Sequence, residues 1–82
     1  MATEGLKPTA ATATFHADFI LLEVLVALGS VHEKVPARMG DAELPVRTAL
    51  EIVLKAHRRG GCTPGQIKEL ELIREKIAEL AG

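Results

Sequence analysis

Hydrophobic side chains crowd one stretch of the chain and recur at regular intervals in two others. Between Phe15 and Val31, ten large apolar residues, among them Phe19, Leu22, Leu25, Val26 and Leu28, spread around most of a helix drawn at about 100° per residue. His16, Glu23, Ser30 and Lys34 occupy one narrow polar stripe. Thr12 to Thr14 supply residues that can cap the start of this helix, and Pro36 predicts its end at Glu33 or Lys34 by disfavouring helical geometry at Val35. A helix apolar nearly all round is covered on nearly all sides. Two further short helices are too few neighbours for that, so the pattern predicts that helix 1 needs a second polypeptide, most simply another copy of itself.

A second periodic stretch is predicted from Pro45 to Arg59, after a connector over 36–44. Proline suits a first helical turn, and Gly60 suits the left-handed stop. Val46, Ala49, Leu50, Val53, Leu54 and His57 form the expected inward face, with Ile52 at its edge. Arg47, Glu51 and Lys55, four residues apart, fall on the opposite side. Helix 3 has the clearest start: Thr63 as N-cap, Pro64 in the first turn and Gln66 reaching back make a capping box, with Cys62 and Ile67 placed as its apolar staple. Ile67, Leu70, Ile73, Ile77 and Leu80 then repeat at bundle or coiled-coil spacing, leaving Leu72 outside that row. Gly60 to Cys62 is short enough to join helices 2 and 3 as an antiparallel hairpin.

Composition narrows the class. At 82 residues the chain makes one domain, of a size that usually needs a staple. A single cysteine forms no internal disulfide, and with two Phe and no Trp or Tyr the core is aliphatic. That excludes an aromatic base-stacking platform. Ten basic and eleven acidic residues give no overall pull toward nucleic acid or anionic lipid. Residues 1–13 carry few large apolar side chains and are expected to form a flexible arm, with 14–82 as a single helical domain. They lack the pattern of a secretory signal, so the expected location is the cytoplasm, with a reduced thiol. The apolar run Phe19 to Leu28 is broken by Glu23 and is short of the roughly 20 residues of a bilayer span, which predicts a buried helix with no membrane partner.

Candidate chemistry is sparse. Arg47, Lys55, Arg58, Arg59 and Lys68 could contact nucleic acid if helices 2 and 3 acted as a helix-turn-helix, although helix 3 also carries four acidic side chains that would oppose phosphate. Arg58 and Arg59 also fit simple compensation of the helix dipole. Cys62 beside a helix start could be an activated thiol or an inert staple. His16 and Glu23 share a face but stand about 10 Å apart along the axis, too far to hold one ion. Neither a carboxylate-histidine metal motif nor a phosphate-binding glycine loop occurs. Glu23 either faces solvent or pairs across a dimer axis with a base such as His16, fixing register.

The sequence therefore predicts an all-α fold: a three-helix protomer assembled as a homodimeric bundle. Phe15, Phe19, Leu22, Leu25, Val26 and Leu28 form its dimer or partner interface. The expected function is a non-enzymatic protein-protein interaction module without cofactor or metal, acting as a regulator, adaptor, inhibitor or chaperone-like partner. The alternative is a dimeric DNA-binding regulator.

Overall fold

The computed structural model describes residues 10–82. The described chain is all-α: α1 (Ala10–Lys34), a single 3₁₀ turn (Pro36–Arg38), α2 (Met39–Arg59) and α3 (Pro64–Ala81). The helix takes in residues 10–13 of the arm expected over 1–13; residues 1–9 of that arm lie outside the described residues. Pro36 acts as expected. Val35 leaves helical geometry at φ −141° and ψ 60°, and the chain reverses within one 3₁₀ turn closed by the Arg38 amide donating to the Val35 carbonyl at 2.9 Å.

α2 begins six residues earlier than Pro45, which corrects the expected connector. Pro45 lies inside the helix. Its ring removes only the bond to the carbonyl of Asp41, an exposed residue, so water can take that place. The apolar row that holds the early turn is Ala42, Val46, Ala49, Val53 and Ala56, stepping by four and three; all five are buried. This row also corrects the predicted face. Ile52 is buried on the α3 side of it, whereas Leu50, Leu54 and His57 are exposed. The observed face is rotated from the expected one because the inward positions 42 and 56 hold alanine, a weaker hydrophobic signal than the exposed Leu50 and Leu54.

Helix α2 stops at Gly60, whose φ of 77° and ψ of 20° are left-handed geometry that favours glycine. The Gly61 amide donates to the Ala56 carbonyl at 2.8 Å. At the start of α3 the capping box forms as the sequence predicts. The Gln66 amide donates to Thr63 Oγ1 at 3.1 Å, and the Thr63 amide donates to Gln66 Oε1 at 2.9 Å. Cys62 is buried, with Ile67 half-buried against the same core.

The helices run up, down, up. Thr14 and Asp18 of α1 sit beside His57 and Gly60 at the end of α2, while Leu28 adjoins Met39 and Val46 near its start. Gly40 and Asp41 of α2 lie across from Ile73 and Lys76 of α3, so α2 and α3 form an antiparallel hairpin. α1 packs against both helices, most extensively against α3. It contributes Ala17, Ile20, Val24 and Val31 to a core completed by the α2 row and by Leu70, Ile73 and Ile77 of α3. Among the described residues no polar side chain is buried.

Candidate functional site

Only half of α1 is used by this core. Ala17, Ile20, Val24 and Val31 recur on one face, and the opposite face carries a second apolar row. Phe15, Phe19, Leu22 and Val26 step by four, three and four, and they remain 76%, 56%, 57% and 65% exposed; Leu25, one position to the side, is 42% exposed. With side chains of about 150 to 200 Å² each, this is on the order of 500 Å² of apolar surface on one helix. A patch of that size is at the upper end of what a typical monomer exposes, and such patches often serve as contact surfaces.

Each edge of the row is marked by a pair of polar side chains. On the α3 side Arg74 donates to Glu23 at 2.6 Å, and Phe19, Leu22, Val26 and Ala78 line a shallow groove around the pair. Glu23 therefore has a partner within its own protomer, and its half-exposed carboxylate stands between the core and the open face. On the α2 side His57 Nε2 and Asp18 Oδ1 lie 2.7 Å apart. Seven residues onward along α1 is Leu25 and seven backward along α2 is Leu50. In antiparallel helices those steps cover the same distance, so Leu25 and Leu50 extend the apolar surface toward α2. Leu28 is placed differently from the other five residues predicted to form an interface: it is half-buried and packs against the chain's own core beside α2.

The basic residues that could contact nucleic acid are all exposed. Arg47 is exposed and paired with Glu43 at 3.3 Å on its own helix. Lys55, Arg58 and Arg59 are exposed around the last turns of α2, and Lys68 projects from the outer side of α3, away from Leu70 and Ile77. Leu72 is exposed on that outer side as well. Burial raises the Cys62 thiol above its ordinary value of 9.0 by desolvation, the opposite of what an activated nucleophile requires. Among the described residues no three His, Cys, Asp or Glu side chains gather in a group able to hold a metal ion.

The partners of two carboxylates on this surface escape a reading of the sequence alone. Arg74 and His57 gain their roles only when the bundle brings α3 and α2 beside Glu23 and Asp18 of α1. The span Thr14–Lys34 is also longer than the Phe19 to Leu28 run, and it is long and apolar enough to cross a membrane by length and composition. Comparison with family models, curated proteins and solved structures finds no match to the chain.

Proposed function

We propose that this chain is a small non-enzymatic interaction module that works as a helical homodimer through the open face of α1. The observation that carries this reading is the row Phe15, Phe19, Leu22 and Val26, left exposed after the protomer has completed its own core. Water released from such a row gains entropy when a second apolar surface covers it, which lowers the free energy of the pair. A protein partner suits it better than lipid, because Asp18 and Glu23 within the apolar span are each engaged by a base on a charged neighbouring helix. With the α1 faces joined, the charged outer sides of α2 and α3 are the surfaces left to present to a regulatory target.

Size-exclusion chromatography with light scattering on the wild type and on Leu22→Asp tests this. The wild type is expected as a dimer and the variant as a folded monomer, because a carboxylate at the centre of the row must be desolvated on pairing. A wild type that is a folded monomer at high concentration overturns self-association, and partition into liposomes would turn the reading toward lipid. Tight, steeply salt-dependent binding to duplex DNA would instead favour the DNA-binding alternative built on Arg47, Lys55, Arg58, Arg59 and Lys68.

A further inference from the structure

We infer that the two copies of α1 pair antiparallel, with Phe19 packed opposite the partner's Leu22, Phe15 opposite the partner's Val26, and His16 beside the partner's Glu23. This rests on the homodimer proposed above and specifies its geometry. The exposed row has the four-three-four spacing of a coiled-coil seam, so the residues flanking it are fixed. Asp18, Leu25 and His32 lie along the α2 edge, and His16, Glu23 and Ser30 lie along the α3 edge.

The flanks separate the two orientations. In a parallel pair each residue of one edge meets the opposite edge of the partner five positions onward, which sets Asp18 against the partner's Glu23. That apposition occurs twice by symmetry, and like charges at these positions select against a pairing. In an antiparallel pair like edges meet. With the Phe19 and Leu22 layers at the centre, His16 falls beside the partner's Glu23, and Asp18 falls beside the partner's Leu25, clear of any other acid.

Packing points the same way. A parallel seam stacks Phe15 on its own copy and Phe19 on its own copy, two layers of paired rings followed by thinner layers of Leu and Val. The antiparallel seam sets each ring against an aliphatic side chain, giving layers of even thickness. Glu23 accepts Arg74 of its own protomer through Oε1, so a second donor from His16 of the partner subunit would complete a three-residue charge line along the α3 edge.

Orientation is read by a spin label at Glu33→Cys in a Cys62→Ala background, after circular dichroism has shown that this variant folds. Glu33 is exposed on the line of the row, about 12 residues from the expected centre. At 1.5 Å per residue, antiparallel pairing separates the two labels by about 40 Å, and parallel pairing brings them within about 20 Å. A distance near 40 Å supports the inference. A short distance overturns the orientation and leaves the homodimer standing, whereas absence of any dimer removes the proposed function itself.

A second measurement needs no label. His16→Glu is expected to weaken the dimer several-fold to about tenfold, and His16→Lys to leave it as tight or tighter. In a parallel dimer position 16 lies away from the partner's Glu23, so equal affinities for the two variants would overturn the inference.

Discussion

Replacing Phe19 by alanine separates the two halves of α1. The ring is 56% exposed in the protomer, so of about 200 Å² of side chain roughly 110 Å² remains for a partner to cover. At about 25 cal/mol per Å² this corresponds to about 3 kcal/mol on each copy, and two symmetric copies lose it together. Alanine keeps its own methyl group and the seam relaxes in part, so a loss of about 2 to 4 kcal/mol in dimer affinity is expected, or roughly 30- to 1,000-fold. The roughly 90 Å² of ring that rests on the chain's own core corresponds to about 2 kcal/mol at the same coefficient, of which the alanine methyl keeps part, so the folded monomer should lose about 1 to 2 kcal/mol. Sedimentation equilibrium gives the first quantity, and urea unfolding of the dilute monomer gives the second. Leu70→Ala provides the contrast, since Leu70 is fully buried and its truncation should cost about 2 to 5 kcal/mol of folding stability. If Phe19→Ala leaves dimer affinity unchanged, or destabilises the monomer as much as Leu70→Ala does, the division of α1 into a core face and an open face is refuted.

Other outcomes follow from local contacts. Thr63→Ala removes the hydroxyl that accepts the Gln66 amide and should lower stability by about 1 kcal/mol in thermal or urea unfolding. Gly60→Ala places a Cβ in left-handed geometry and should cost about 1 kcal/mol or more, although space around Gly60 is open. Arg74→Ala leaves Glu23 without its partner; because both side chains are partly exposed, the expected loss is under about 1 kcal/mol and shrinks in high salt. Burial holds the Cys62 thiol protonated to higher pH than in the unfolded chain, so its contribution is present below pH 9.0 and is lost as the pH rises above it. Urea midpoints should therefore fall more steeply above that pH for the wild type than for Cys62→Ala, and iodoacetamide should label the native thiol slowly at neutral pH.

The parts of this structure that sequence discloses are those set by neighbours in the chain. Thr63, Pro64 and Gln66 define the start of α3 because all the bonds they make lie within four residues, and Pro36 and Gly60 end their helices through their own backbone preferences. The α3 row from Ile67 to Leu80 is legible because large residues recur on one face of an otherwise charged helix. The face of α2 is hard to read from sequence for the complementary reason. Its inward row contains Ala42, Ala49 and Ala56, which allow close approach of α1 and α3 but register weakly as hydrophobic signals, while Leu50 and Leu54 lie on the open side. Pro45 hid the first turn of α2 because the steric objection to proline within a helix is local, whereas the burial of Ala42 that holds that turn is tertiary. On α1, composition discloses the excess of apolar surface. Which residues meet the chain's own core is set by tertiary packing of Ala17, Ile20, Val24 and Val31 against α2 and α3, and on a helix apolar nearly all round no local pattern singles out that face.

The central claim is that the row Phe15, Phe19, Leu22 and Val26 is covered by a second copy of the chain. Molar mass by light scattering or sedimentation over a dilution series from high micromolar to nanomolar concentration tests it most directly. A species of twice the 8.8 kDa chain mass that dissociates reversibly to folded monomer on dilution is the result this account predicts. A well-folded monomer at every concentration would contradict it.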